Sequence, residues 1–412
     1  MYSYFQEAKS EKILYEFQRQ ALNSASHNYF YALDTGTGKT ITSIHHYLKY
    51  SQGEPLIIFA PAQKVKECGW DRDIKFVSTY YGIQINYEVI SYGLLAKTPI
   101  PNHQYSVIFD EAHYIKNPTS KRGKQGAKIA NQAINFVLLT ATPMSNGWED
   151  SYNYFIMFKR FRNKTHMNRE HAIYEQRNFG ARTVNIITGW KNERLLKRYF
   201  EQFSVSISKD DALDLPPLVI RPVYFKSSPV YKKLKKDRVL DDVAYDSIPK
   251  LIHGLRFYAN QKDKLNHIEM MFEGTNRNIV IFYQYQKEYE ELHRIAIEKQ
   301  KQIYLVNGQR SKLPDRDEWD KLTNSVTLVQ YQAGSSGIEL QYCSEVVFYT
   351  PTYSYQDYEQ ALGRAYRNGQ TKKVTVYQFK TEGTIEEDVW KALSDKKDFS
   401  AEIYALTQLG GK

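Results

Sequence analysis

The stretch VIFDEAH, residues 107–113, decides the fold. Val107, Ile108 and Phe109 make a short run of β-branched and aromatic residues, the pattern of a buried strand. Two adjacent carboxylates, Asp110 and Glu111, close it. Burying such a pair is costly unless a metal ion or another cation meets it. Its counterpart is LDTGTGKT, residues 33–40, set between the apolar run Tyr29 to Leu33 and a helical pattern with Ile41, Ile44 and Leu48 on one face. Gly36 and Gly38 let the turn Thr35-Gly36-Thr37-Gly38 curl its backbone N–H groups around phosphate oxygens. Lys39 can then reach the β- and γ-phosphates, and Thr40 can ligate magnesium through its hydroxyl. The helix N-terminus adds a favourable dipole potential. In that arrangement Asp110 holds the magnesium and Glu111 activates the attacking water, so ATP and Mg2+ are the expected cofactors. A strict phosphate loop has glycine where Leu33 stands.

Residues 13–22 read as a helix, and the amide of Gln18 can pair with an adenine edge. Strands are expected at 55–61 (PLIIFAP), 87–92 and 133–139, with a helix through Trp70 to Phe76. Alternating strands and helices imply a parallel sheet with helices on both faces, which binds ligands at the carboxyl ends of its strands. The Gly-rich turn, DEAH and TATPMSN (140–146) all fall at such ends. Residues 148–209 are rich in aromatic and basic residues without strand alternation, and are read as helices around a packed aromatic stripe. LPPL, 215–218, is an extended break and a candidate hinge, and YKKLKKDR, 231–238, a solvated helix face.

The second half restarts the alternation. Strands are expected at 278–285, 302–308, 326–332, 345–351 and 373–379, with helices at 287–300 and 355–367. QAGSSGIEL, 332–340, is a second Gly-rich turn after a strand. Ser354 is a candidate N-cap and Asn368-Gly369 a stop signal for one helix, on which Gln360, Arg364 and Arg367 share a face. Two guanidiniums there, facing a phosphate-binding lobe, suit an arginine finger. The expected fold class is α/β, with two parallel-sheet lobes around a nucleotide cleft and helical insertions between them. Residues 1–147 form the first lobe, 148–214 a helical insertion, and 215–412 the second lobe with a helical entry segment.

A length of 412 residues allows two or three domains, and an apolar content of 42% gives them real cores, which excludes a disordered chain. A net charge of +10 favours a polyanionic partner. Cys68 and Cys343 are too few for a disulfide scaffold or a zinc site, so a reducing compartment is expected. The N-terminus lacks a signal-peptide pattern, and no apolar stretch reaches membrane-spanning length. The expected location is intracellular and soluble, cytoplasmic if bacterial or viral, with a nuclear one left open, and no membrane partner is expected.

These motifs together resemble the superfamily-two helicase-like ATPases, and among them the Swi/Snf-type DNA translocases, over roughly residues 13–392. DEAH with KNPTSK, LLTATP, IFYQYQKEYEEL, AGSSGIEL, QALGRAYRNGQTKKVTVYQF and GTIEEDVW occur in the family's order. The resemblance implies RecA-like lobes and an ATP-driven motor on double-stranded DNA, acting in replication, recombination or repair. By it, Gln18 fits the adenine-reading position, Gly337 lines the nucleotide, and Arg364 and Arg367 are the fingers. Pro61, Lys64, Ser91, Tyr92, Asn117, Gln284, Asn307, Gly308 and Gly334 fit positions that track a DNA backbone without reading sequence. Departures fall at Leu33, Ser335, Tyr366 and VNGQ (306–309), and bear on the DNA grip rather than the ATPase. No chromatin-reading, nuclease or zinc module is recognisable, so a pared-down motor with targeting partners in trans is expected. A strand-separating or branch-migrating helicase, a nucleotide-gated DNA-binding module without turnover, and an RNA motor stay open as alternatives.

Overall fold

Apolar residues on both faces of most strands dictate two buried parallel sheets, one in each half of the chain. The computed structural model describes residues 13–66, 68–144, 147–179, 182–212, 214–331, 338–401 and 404. It divides into two units, Met1–Leu213 and Asp214–Lys412.

The first unit contains β1 (Tyr29–Leu33), β2 (Leu56–Ala60), β3 (Tyr87–Ser91), β4 (Ser106–Asp110), β5 (Phe136–Leu139), β6 (Ala172–Phe179), β7 (Arg182–Trp190) and β8 (Ser204–Ile207). Six of them form a parallel sheet in the order β3-β2-β4-β5-β1-β8. The period of two along a strand splits β1 cleanly. Tyr29, Tyr31 and Leu33 pack with Ile44, Leu48, Trp70 and Ile74 on one face. Phe30 and Ala32 pack with Tyr154, Phe155 and Phe200 on the other.

Tyr154, Phe155 and Phe200 belong to the segment expected to be a helical insertion. The segment is not purely helical: β6 and β7 form an antiparallel hairpin, and β8 extends the first sheet beside β1. Its aromatic residues, including Phe155, Phe161, Phe200 and Phe203, complete the core of the first unit. β8, SVSI, is only four residues long and half serine, too short and polar to show strand alternation.

The second unit contains β9 (Leu218–Lys226), β10 (Val239–Leu240), β11 (Val243–Ala244), β12 (Ile279–Tyr283), β13 (Gln302–Val306), β14 (Ser311–Lys312), β15 (Ser325–Gln330), β16 (Glu345–Phe348) and β17 (Val374–Glu382). Its sheet runs β14-β13-β15-β12-β16-β17-β9, parallel except for β14. The entry segment thus begins with a strand rather than a helix. β9 pairs with β17 from Leu218 opposite Val374 to Lys226 opposite Glu382. Pro222 lies within β9, and an edge position is where a sheet accepts a residue without a backbone N–H. Among the described residues no helix is long and apolar enough to cross a membrane.

One close approach shapes the loop after DEAH. The Ser120 hydroxyl caps the helix Lys121–Gln132 by accepting the Gly123 N–H at 3.0 Å. A Cβ on Gly123 would run into the backbone carbonyl of Asn117. Gly123→Ala is therefore expected to cost about 1–3 kcal/mol of stability, a loss of several degrees in Tm. An unchanged melting curve would show that the loop gives way freely.

Candidate nucleotide site

β1 delivers the chain into the Gly-rich turn at its carboxyl end. Gly36 and Gly38 have φ of 84° and 79°, in the left-handed region that glycine enters without steric cost. The helix Lys39–Tyr50 then starts. The turn is held from three sides. The Thr37 hydroxyl donates to the Asp34 carbonyl at 2.6 Å. The Asp34 carboxylate accepts the backbone N–H of Lys209 at 2.9 Å, just beyond β8. Gln18, 2% exposed, donates from its amide nitrogen to the Thr37 carbonyl at 2.7 Å and accepts the Tyr15 N–H at 2.9 Å. The expected adenine reader thus braces the Gly-rich turn, and a Cβ on Gly38 would collide with its amide nitrogen. Lys39 Nζ donates to the carbonyls of Leu33 at 2.8 Å and Asp34 at 3.2 Å. Burial lowers the Lys39 pKa, against the opposing pull of Glu111, Asp110 and Asp34.

β4 delivers the acidic pair to the same edge. Asp110 is 1% exposed, and its Oδ2 accepts from Lys64 Nζ at 2.6 Å and from the indole N–H of Trp70 at 3.0 Å. Lys64 also donates to Thr40 Oγ1 at 3.2 Å, and its ammonium lies 5.2 Å from the Trp70 ring centroid. Glu111 has φ of 54°, a strained conformation for a residue with a Cβ and a frequent mark of a functional position. Its Oε2 lies 3.4 Å from His113 Nδ1, and Thr140 Oγ1 is 3.5 Å away. Thr140 follows β5 and donates its own N–H to the Tyr31 carbonyl at 3.2 Å, so β1, β4 and β5 all end at this spot. Burial alone would raise the Glu111 pKa. The hydrogen bond from His113 and the charges of Lys39, His113 and Lys64 outweigh it and hold the carboxyl well below the usual range.

The donor set fits magnesium. Asp110 Oδ2 and Thr40 Oγ1 already converge on one cationic group, the Lys64 ammonium. One carboxylate and one hydroxyl are also what Mg2+ takes from a protein when phosphates and water complete its shell.

The residues expected to track DNA fare unevenly. Lys64 is turned onto Asp110, into the candidate nucleotide site. Tyr92 is 2% exposed, stacks on Tyr114 at 4.8 Å between ring centroids, and its hydroxyl has no hydrogen-bond partner among the described residues. It is a core residue here, because the short helix Tyr92–Leu95 turns its ring toward Phe59. Pro61 and Ser91 are half-buried just beyond β2 and at the end of β3, and Asn117 is exposed, its Oδ1 accepting from Thr119.

In the second unit, Gln284 follows β12 and accepts from Arg256 at 3.2 Å. Asn307 closes the turn after β13 by accepting the N–H groups of Gln309 and Arg310, and Gly308 is exposed. Gly334 and Gly337 lie outside the described residues. Gln360 is buried and Arg364 half-buried on the helix Tyr355–Ala365. Arg367 does not share their helical face, since the helix ends at Ala365 and Tyr366 leaves helical geometry with ψ of 85°. Gln370 donates to the Ala365 carbonyl at 3.0 Å and ends the helix early. The Nε of Arg367 is buried without a hydrogen-bond partner among the described residues, and burial lowers its pKa.

Sequence reasoning missed Trp70, His113 and Thr140 as site residues, and Asp34 as the tie to β8. A tryptophan opening the first turn of a helix, its indole N–H a donor only, was the available signal for Trp70.

The model of the helicase conserved C-terminal domain matches residues 262–369. The uncharacterized ATP-dependent helicase YqhH of Bacillus subtilis is 24% identical over 422 residues, covering 88% of this chain and 74% of that protein. The human DNA annealing helicase and endonuclease ZRANB3 is 24% identical over 406 residues, covering 88% of this chain and 37% of that protein. The chromatin-remodeling ATPase INO80 of Mycosarcoma maydis is 28% identical over 170 residues, covering 40% of this chain and 9% of that protein. The chain thus spans under two-fifths of the length of ZRANB3 and a small part of INO80.

Proposed function

We propose, on the premise that this chain is a helicase-like ATPase of superfamily two, that it couples ATP hydrolysis to movement along double-stranded DNA. The observation that carries this reading is the meeting of Lys39, Thr40, Asp110 and Glu111, from the ends of β1 and β4, with Thr140 from the end of β5. The relatives named as an ATP-dependent helicase, a DNA annealing helicase and a chromatin-remodeling ATPase support DNA as the track. So does the net charge of +10.

In this reading Lys39 and the backbone N–H groups of residues 35–38 hold the phosphates, while Gln18 keeps the turn in shape. Thr40 and Asp110 are the metal ligands, and bound magnesium would screen the phosphate charge. Glu111 orients a water and takes its proton, with His113 and Thr140 fixing its carboxylate. Arg364 and Arg367 contribute positive charge to the transferring phosphoryl group, and Gly337 lines the nucleotide. Pro61, Ser91, Asn117, Gln284, Asn307, Gly308 and Gly334 contact DNA phosphates, so binding weakens as salt rises.

The test is steady-state ATP hydrolysis without nucleic acid and with single-stranded DNA, duplex DNA or RNA. Stimulation by duplex supports the motor. Stimulation mainly by single strands points to a strand-separating helicase, and by RNA alone overturns DNA as the track. No turnover under any condition leaves a nucleotide-gated binding module. Arg367→Ala is expected to lower kcat about 100-fold with little change in KM for ATP, because the guanidinium acts on charge that develops in the transition state. Full activity at saturating DNA would remove Arg367 from that role.

A further inference from the structure

Lys64 touches neither phosphate nor water in the mechanism proposed above, yet among the described residues it makes the shortest polar contact of the Asp110 carboxylate. Its ammonium bridges the two groups assigned to magnesium, at 2.6 Å from Asp110 Oδ2 and 3.2 Å from Thr40 Oγ1. Trp70 fixes it from the side, donating to the same carboxylate oxygen and offering its ring face to the ammonium. An ammonium and a divalent ion cannot share one carboxylate oxygen and one hydroxyl at these distances, because like charges so close repel strongly. The Lys64 side chain is 28% exposed against 2% for Asp110, so its head can swing out to water while Asp110 stays buried.

We infer that Lys64 is a resident counter-cation of the magnesium position, which neutralises Asp110 in the nucleotide-free protein and has to leave before a divalent ion can enter. This rests on Asp110 and Thr40 being the metal ligands. Two consequences follow from the charges. Free divalent ions compete poorly with a tethered ammonium, so the empty protein resists loading with metal alone. A metal arriving with nucleotide brings phosphate oxygens as further ligands, and those phosphates also offer the displaced ammonium a new partner.

The test is binding of free Mn2+, followed by its electron paramagnetic resonance signal, to the nucleotide-free full chain. Lys64→Met is expected to bind at least about tenfold more tightly than the natural chain, since a like charge is gone from the site. Lys64→Gln, neutral but able to donate to Asp110, is expected to do the same and serves if the methionine variant fails to fold. Lys64→Arg keeps the charge and is expected to bind Mn2+ as weakly as the natural chain. Equal Mn2+ affinities in the natural chain and a folded neutral variant overturn the inference. Asp110→Asn separates this failure from failure of the site reading. If the neutral variant gains nothing while Asp110→Asn abolishes binding of Mn2+ with ATP, the counter-cation falls and the metal site stands. If tight Mn2+ binding in Lys64→Met survives the added Asp110→Asn change, Asp110 is not the ligand and both fall.

Discussion

Replacing Glu111 by glutamine is expected to lower ATP hydrolysis by about 100- to 10,000-fold while ATP still binds, as befits loss of a positioned general base. The substitution keeps the volume and one oxygen acceptor for His113 and Thr140, and removes the negative charge. The left-handed backbone at Glu111 holds the carboxylate beside the end of β5. Its depressed pKa means it needs no deprotonation at neutral pH. A carboxyl whose folded pKa is depressed contributes stability above its unfolded value, and loses it as pH falls through the folded one. Between pH 6 and 8, roughly, Glu111 therefore adds no slope to stability or to the rate profile. Binding of a fluorescent ATP analogue together with phosphate release checks the prediction. Near-normal turnover would move the base elsewhere, and lost binding would make Glu111 a structural residue.

The second large effect concerns the second unit. Lys264, on the helix Gln261–Gly274, and Glu386, in the first turn of the helix Ile385–Ser394, form an ion pair with no side-chain exposure at all. Lys264 also donates to the Tyr349 carbonyl at 3.1 Å, and Glu386 accepts the Thr381 N–H at 3.1 Å, so the pair ties both helices to the ends of β16 and β17. Lys264→Met strands a buried carboxylate and is expected to cost about 3–5 kcal/mol. The double change Lys264→Met with Glu386→Leu removes both charges and is expected to recover most of that loss. Calorimetric unfolding of the three proteins measures it. A single variant within about 1 kcal/mol of the natural chain would mean that water reaches the pair.

Much of this architecture is legible in the sequence because the central strands are buried on both faces. YFYAL, LIIFA and IVIFY in β1, β2 and β12 are unbroken apolar runs, and such runs have few readings other than interior strands. The exposed edge strand β9 was not legible. Ile220, Arg221, Pro222 and Tyr224 of β9 are exposed, so LVIRPVYFK shows neither a run nor a clean alternation. The Gly-rich turn and the acidic pair were legible because they occur together, each at the end of an apolar strand run and each in want of the other's phosphate or cation partner. The position of Lys64 was not, because it follows from strand order. β2 pairs with β4, Phe59 opposite Phe109, and so the helix Ala62–Lys66 leaves the sheet beside Asp110. Arg367 was placed on a helix face because nothing in RAYRNGQ announces that the Gln370 amide ends the helix at Ala365.

The edge strand β9 carries a consequence for the order of synthesis. Every strand of the first sheet lies between Tyr29 and Ile207, so that sheet can close while the rest of the chain is still on the ribosome. β9 emerges next, but its one neighbour in the sheet begins at Val374. At translation speeds of about 5–20 residues per second, its backbone donors and acceptors wait for several seconds or more without their ladder. During that interval a nine-residue strand with free edges is open to pairing with another nascent chain, and Arg221, Pro222 and Lys226 are its built-in guards against it.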